Sequence, residues 1–455
     1  METTTKDQES LPRLAPELAV RLNGLLNRDR DPEDAPRHQA TGAEELIRLL
    51  LQDAVDRNAS DIHFEPFSQG WRVRFRVDGQ LHDVARLGHD RGLRAVRHFK
   101  TLGELDPVAS FLPHNARLRR EVLNTTVDLR LASTPCHGGE SLHVRILNPN
   151  RVRHRIGDLG MNEKDVDHLK SWLDQITGMC LVTGPIGSGK TTTLYALLHE
   201  LEMSDRAVVT IEDPVEYALD GITQIQVDED HGLTFAEGLK AMLRMDPDYM
   251  LIGEIRDAES ARTAIEAASC GHVVMSTLHC PDAAGIITLL RNWSIPDHQI
   301  ASVVEMVVNQ RLVRRLCTKC RRLETPHRED RKWIESLRLP VPDKVYRAVG
   351  CKACLQTGYS GRIGVFETWR RDESDYVLIL KNVDEHSLRN HLRERGHKTV
   401  LDDAFLKATA GITSLAEIRQ MGARRMFFRG AAAQENPVST EPAPAARTRD
   451  LPTAS

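Results

Sequence analysis

Residues 184–193 read GPIGSGKTTT, and the pattern G-x-x-x-x-G-K-[ST] within them is a phosphate cradle. Gly184, Gly187 and Gly189 let successive main-chain N–H groups converge on phosphate oxygens at a helix N-terminus, and Pro185, Ile186 and Ser188 complete the loop. Lys190 carries positive charge to the terminal phosphates. The Thr191 hydroxyl is suited to Mg²⁺, and Thr192 follows it on the first turn. Turnover of a nucleotide also needs carboxylates near the metal and the attacking water. VVTIEDPVE ends an apolar run at Glu212 and Asp213, and DYMLIGEIRD ends another at Gly253 and Glu254. A carboxylate just past the C-terminal end of a parallel strand points into the crevice where open α/β sheets bind ligands. His279, at the end of GHVVMSTLH, can hydrogen-bond a γ-phosphate, although a lone histidine in such a run is more often a satisfied packing residue and spacing alone does not make it functional.

A second chemistry lies further on. Cys317 and Cys320, then Cys351 and Cys354, form two C-x-x-C pairs. Four soft thiolates at this spacing suffice for a closed tetrahedral Zn²⁺ site, which leaves no position for water and is therefore structural. The single cysteines Cys136, Cys180, Cys270 and Cys280 sit in apolar runs and read as buried small hydrophobes.

The elements that must position these groups are legible around them. MCLV is a short apolar strand before the glycine loop, and Leu194, Leu197, Leu198 and Leu201 recur at helical spacing after it. From about residue 159 short apolar strands alternate with amphipathic helices, which predicts a mostly parallel sheet. Before it, Thr41 and Glu44 form a capping-box pattern ahead of a helix bearing Leu46, Leu49, Leu50 and Ala54 on one face. Trp71, Val73, Phe75 and Val77 alternate with Arg72, Arg74 and Arg76, so a half-buried strand projects three guanidinium groups from one face, and Asp78-Gly79 supplies a hairpin turn.

The chain of 455 residues has a net charge of only −4, which excludes a global field for nucleic acid or anionic lipid. It carries neither a signal peptide nor a membrane-spanning apolar run, so a cytoplasmic protein is expected. Residues 27–38 read as a charged linker and those from 431 as a Pro/Ala-rich disordered tail. The expected division is a short segment at 1–40, an α+β arginine-bearing unit at 41–150, a P-loop domain at 151–315, a tetracysteine element at 316–366, C-terminal helices at 367–430, and the tail at 431–455.

In order along the chain, ASDIHFEP, RVRFRVDG, GPIGSGKTTTLYA, TIEDPVEY, GLTFAEGLKAMLRMDPDYMLIGEIRDAES, GHVVMSTLH, NQRLVRRLC and GCKACLQTGYSGRIGVFE resemble the secretion ATPases of type II secretion and type IV pilus assembly, over roughly residues 41–430. The resemblance implies a RecA-like P-loop domain behind a smaller PAS-like domain, and a homo-hexamer that hydrolyses ATP with Mg²⁺. It implies that Glu212 lies in an acidic box, Glu254 is the Walker B glutamate acting on water or metal, and His279 belongs to a histidine box. Arg74 and Arg76 become arginines lent to a nucleotide of the same or an adjoining subunit. It further implies zinc at the four cysteines, no direct nucleic acid, and work at the cytoplasmic face of the inner membrane through platform and docking proteins. Type II secretion is preferred to pilus extension, and a nucleotide-binding scaffold that does not hydrolyse is the alternative of another class. STLHCPD departs from the family pattern at Cys280 and Pro281, and PHNARL keeps Arg117. About 40 residues precede the arginine-bearing unit, fewer than the N-terminal docking domain of many family members.

Overall fold

The computed structural model describes residues 42–108, 111–149, 154–201 and 205–422. The expected linker at 27–38, Thr41 of the capping box and the tail from 431 lie outside the described residues.

The first lobe comprises α1 (Gly42–Asp56), β1 (Ala59–Phe67), β2 (Gly70–Val77), β3 (Gln80–Leu87), α2 (His89–Leu102), β4 (His114–Val122), β5 (Thr125–Cys136) and β6 (Gly139–Leu147). Its strands form one antiparallel sheet in the order β3-β2-β1-β6-β5-β4. The apolar stripe of α1 is fully buried at Leu46, Leu49, Leu50 and Ala54, and with α2 it covers one face of the sheet. There Phe64 meets Phe99 edge-on at 5.5 Å, beside buried Trp71, Val73 and Phe75. Alternation along β2 therefore sends Arg72, Arg74 and Arg76 to the opposite face. Asp78 and Gly79 both adopt positive φ, as a two-residue hairpin turn requires.

The second lobe begins with α3 (Glu163–Leu173), β7 (Gly178–Thr183) and α4 (Lys190–Leu198). It continues through β8 (Val208–Glu212), β9 (Thr223–Gln226), α5 (Phe235–Met242), β10 (Tyr249–Ile252), α6 (Ala258–Ser269) and β11 (Val273–Leu278). Next come α7 (Ala284–Asn292), α8 (Asp297–Val303) and β12 (Val304–Leu316), then an excursion through β13 (Arg322–Glu324), α9 (Arg328–Ser336) and β14 (Val345–Arg347). β15 (Tyr359–Arg370) returns to the sheet, and α10 (Glu373–Leu380), α11 (Glu385–Glu394), α12 (Val400–Thr409) and α13 (Leu415–Gln420) follow.

The seven-stranded sheet runs β15-β12-β7-β11-β10-β8-β9, parallel except for β15. Helices cover both faces, so β7, β8, β10 and β11 are buried at every position, as continuous apolar runs predict. Because β12 and β15 pair along most of their length, the expected borders at 315 and 366 both cut through this strand pair. The cysteine segment is an excursion between the last two strands of the P-loop sheet.

Two expectations about single cysteines fail. Cys180 and Cys280 are buried, but Cys136 and Cys270 are exposed, because one ends β5 at a hairpin and the other caps the C-terminus of α6. No described helix is long and apolar enough to cross a membrane.

Candidate functional site

The glycine loop leaves the C-terminal end of β7, whose neighbours β12 and β11 lie on opposite sides, and Gly189 in the left-handed conformation caps α4. Gly184 has φ 150°, and a Cβ there would lie 2.4 Å from the Gln310 carbonyl oxygen and 2.7 Å from Ser188 Oγ. The loop thus closes tightly on β12. Lys190 Nζ donates to the carbonyls of Gly184 at 3.1 Å and Pro185 at 3.3 Å. Burial lowers the Lys190 amine below its ordinary range, with Glu254 opposing and Arg311 adding to the effect. Ser188 Oγ is buried with no hydrogen-bond partner, and the Ile186 side chain stands in solvent. An orphaned hydroxyl among glycines behind a helix N-terminus fits a phosphate chain. Thr191 and Thr192 follow Lys190 on the first turn of α4, half-buried.

The strand ends bring further groups together. His279 Nδ1 lies 3.3 Å from the Gly184 carbonyl oxygen, and its Nε2 lies 3.7 Å from a Glu254 oxygen. Glu254 accepts from Arg256 Nε, and Arg256 Nη2 also donates to Asp213 at 3.0 Å. Lys190, Glu254 and His279 therefore converge at the ends of three adjacent strands. Thr191 and Glu254, proposed from sequence for Mg²⁺, supply hard oxygen donors of the kind that ion takes.

Two sequence expectations meet a different geometry. Glu212 is 4% exposed and turned inward, accepting from Tyr195, from Thr210 Oγ1 at 2.7 Å and from Gln224 Nε2 at 3.1 Å. It is the last residue of β8 and shares a sheet face with Thr210, so the next acid, Asp213, is the one linked to Glu254 through Arg256. Arg74 and Arg76 are likewise engaged within their own sheet. Arg74 pairs with Glu65; Arg76 donates to the Gly79 carbonyl at 3.0 Å and lies 3.8 Å from Asp61.

Among the described residues, the first-lobe arginine with a side-chain hydrogen bond to the second lobe is Arg130. Cross-strand register aligns Arg76, Asp61, Arg145, Arg130 and Arg117 in one row over five strands, in which Asp61 lies between Arg76 and Arg145 and the row holds one carboxylate among four guanidinium groups. At the crossing, Arg130 Nη2 donates to the Val215 carbonyl at 3.3 Å, in the loop after Glu212 and Asp213. The sequence signal for it was VDLRLAS, a strand whose polar positions alternate with apolar ones, in the same manner as β2.

Sequence reasoning quoted Asn309-Gln310-Arg311 only within NQRLVRRLC and gave no role to these three polar residues inside apolar β12. Gln310 donates to the Ser188 carbonyl at 2.8 Å and accepts from Thr193 Oγ1 at 2.8 Å. Arg311 donates to Asn309 Oδ1, to the Gln310 carbonyl and to the Pro281 carbonyl, at 2.8, 2.9 and 3.2 Å. Polar residues inside a buried strand were the available signal; Gln310 holds the glycine loop to the strand beside it, and Asn309 and Arg311 hold the segment after β11 at Pro281.

The four paired cysteines meet in one cluster. Their sulfurs all lie within 4.8 Å of one another, with Cys317–Cys351, Cys320–Cys354 and Cys351–Cys354 at 3.9, 3.8 and 3.7 Å. Tetrahedral Zn–S bonds of about 2.3 Å place ligand sulfurs about 3.8 Å apart, so the donor set fits zinc. Cys354 Sγ additionally accepts from the main-chain N–H groups of Cys351 at 3.2 Å and Gly358 at 3.1 Å, as a thiolate ligand does.

The sequence profile of the Type II/IV secretion system protein family matches residues 37–420. The chain belongs to this family. It is 38% identical over 421 residues to the Type II secretion system ATPase E of Vibrio cholerae, covering 92% of this chain and 81% of that one. To the Type IV pilus assembly ATPase PilB of Pseudomonas aeruginosa it is 37% identical over 381 residues, covering 83% of this chain and 67% of that one. Among solved structures, the Legionella pneumophila ATPase DotB superposes with a TM-score of 0.62 at 21% identity, covering 84% of this chain and 96% of that one. The pilus retraction motor PilT does so at 0.56 and 22%, with 82% and 96% covered. These last two likenesses concern the fold. The chain is thus a secretion-family α/β protein with a tetracysteine cluster.

Proposed function

We propose that this chain is an ATPase motor that powers pseudopilus assembly and protein export in a type II secretion system. The observation that carries the reading is the convergence of Lys190, Glu254 and His279 at the ends of adjacent strands around a glycine loop with an orphaned Ser188 hydroxyl. The 38% identity to a type II secretion ATPase over most of both chains supports the cellular role.

In this reading the Gly184–Thr192 loop holds the phosphates, Lys190 neutralises them, and Thr191 with Glu254 would hold Mg²⁺, which supplies charge stabilisation at the transferring phosphoryl group. Glu254 orients the attacking water; Arg256 fixes its carboxylate and ties it to Asp213. Glu212 acts from behind by anchoring Tyr195 on α4 and Gln224 on β9. His279 connects Glu254 to the Gly184 carbonyl and so registers loop position. Arg130, which reaches the Val215 carbonyl, and Arg145, which acts with it on Glu216, take the stabilising role expected of Arg74 and Arg76, which pair with Glu65 and Asp61 within the first lobe's sheet. The units at 41–150 and beyond 151 then act as two lobes hinged across this crevice.

The cysteine cluster holds zinc as a structural brace. A homo-hexamer at the cytoplasmic face of the inner membrane, coupled to platform and docking proteins, is the working assembly. Pilus extension is the second reading, favoured by the identity to the pilus assembly ATPase. A steady-state phosphate-release assay on purified chain, with lipid present, tests the activity: Mg²⁺-dependent release lost in Lys190→Ala supports it, and ATP binding with no release beyond that variant favours a nucleotide-binding scaffold.

A further inference from the structure

At the edge of the second lobe's sheet lies a cavity of about 200 Å³, between the first turn of α3, the end of β15 and the loop joining α11 to α12. Register places it away from the glycine loop. Arg370 pairs with Met306 and Val304 with Met179, both at the starts of their strands, whereas the loop leaves the far end of β7 at Thr183.

Most of the ionisable side chains lining it are basic. Lys164, Arg370 and Lys398 are exposed at its rim, with His168 and His397 half-buried beside them. The lining acid is Asp165, whose carboxylate accepts from the Asn162 amide at 2.6 Å. Arg395 also lines the cavity but is committed to ion pairs with Asp372 and Asp375. At the wall Thr368 Oγ1 is buried without a hydrogen-bond partner, whereas His397 Nε2 lies 3.4 Å from Glu367 Oε1. Two helices start here: α3, capped by Asn162, and α12, capped by Thr399 next to Lys398. Their N-terminal dipoles face acidic side chains of their own first turns, Glu163 and Asp165 on α3 and Asp402 and Asp403 on α12, so the cavity's positive charge comes from its side chains.

We propose that this cavity binds a small phosphate-bearing anion of about diphosphate size. A planar guanidinium with two ammonium groups around a buried hydroxyl is a donor set matched to phosphate oxygens. A desolvated hydroxyl such as that of Thr368 is costly unless a ligand satisfies it. The volume suits a compact ligand better than a peptide segment. The cavity is separate from the nucleotide crevice, and its occupancy is independent of whether the P-loop turns over ATP.

Equilibrium dialysis of radiolabelled inorganic pyrophosphate against full-length Lys190→Ala protein isolates this cavity from the P-loop. We expect saturable uptake of one pyrophosphate per chain. Arg370→Glu combined with Lys398→Glu should weaken it by about 100-fold or more, while the charge-conserving Arg370→Lys with Lys398→Arg retains it within about fivefold. Should the double reversal fail to fold, Lys164→Glu on the exposed first turn of α3 serves in its place, with a smaller loss of the same sign. No uptake by the Lys190→Ala protein, or uptake indifferent to charge reversal, overturns the proposal. Saturable binding of oligoglutamate without pyrophosphate binding overturns it as well and assigns the patch to an acidic protein partner.

Discussion

Arg130, on the fifth strand of the first lobe, donates to the main-chain carbonyl of Val215 at 3.3 Å, three residues past the end of β8. This contact joins the guanidinium row of one lobe to the carboxylate-bearing loop of the other. Burial raises the neighbouring Glu216 carboxyl above its ordinary value, against the pull of Arg130 and Arg145 and with Glu212 reinforcing it. A second bridge, from the Gly361 N–H to Asp78 Oδ2 at 2.9 Å, ties the β2–β3 turn to the start of β15.

Arg130→Ala should lower ATP turnover by about 10- to 100-fold with little change in nucleotide affinity, since it removes charge stabilisation while the glycine loop stays intact. Arg72→Ala, whose guanidinium pairs with exposed Asp83, should leave turnover unchanged. Phosphate release with parallel calorimetric titration of ADP separates the two effects. Equal losses in both variants would show that the row acts only through net charge.

Glu254→Gln should bind ATP as the unmutated chain does and turn it over at least about 100-fold more slowly. The substitution keeps the shape and removes the carboxylate that Arg256 holds. Single-turnover kinetics read the chemical step directly, and unchanged turnover would remove Glu254 from it.

Asp61 makes the stability of the first lobe pH-dependent. Burial alone would raise its carboxyl, but hydrogen bonds from His143, Ser60 and Arg145 and the charge of His143 hold it far below its ordinary value. A depressed carboxylate contributes stability that is complete above about pH 4 and is lost as pH falls toward its folded-state value. Asp61→Asn should therefore melt lower at pH 7 and show a shallower loss of stability below pH 4. The check is calorimetry of the two proteins across pH 2 to 7; parallel pH profiles would contradict it.

Cys317→Ser should release about one zinc per chain and open residues 317–354 to protease, because metal binding supplies folding free energy. Plasma emission analysis of the unmutated protein supplies the reference. Protein purified without chelator and still lacking zinc would end this reading.

The sequence carried the parts of the fold set by periodicity and by special backbone positions. The apolar stripe of α1, the alternation of β2, the Asp78-Gly79 turn and the strand–loop–helix around Lys190 all rest on local rules. What it did not carry depends on which strands become neighbours. Arg74 and Arg76 stood out because they share one strand, yet their partners Glu65 and Asp61 arrive only when β1 pairs with β2. Arg130 was legible as a strand residue, but its approach to Val215 is set by how two lobes pack. Glu212 looked like a crevice acid because β8 ends there, and Tyr195 and Gln224, from α4 and β9, turn it inward. The cysteine cluster was readable from spacing, whereas its place between two strands of the P-loop sheet was not.

In the proposed motor the two lobes shift relative to one another as nucleotide state changes, and the protein carries its own probes for that motion. Cys136 and Cys270 are both exposed, one on each lobe. With spin labels on this pair, diluted among unlabelled chains, double electron–electron resonance measures the lobe separation. For a nucleotide-driven motor the distance distribution with Mg²⁺ and a non-hydrolysable ATP analogue should differ from that with Mg²⁺ and ADP. Superimposable distributions, with both nucleotides shown to be bound, would contradict it.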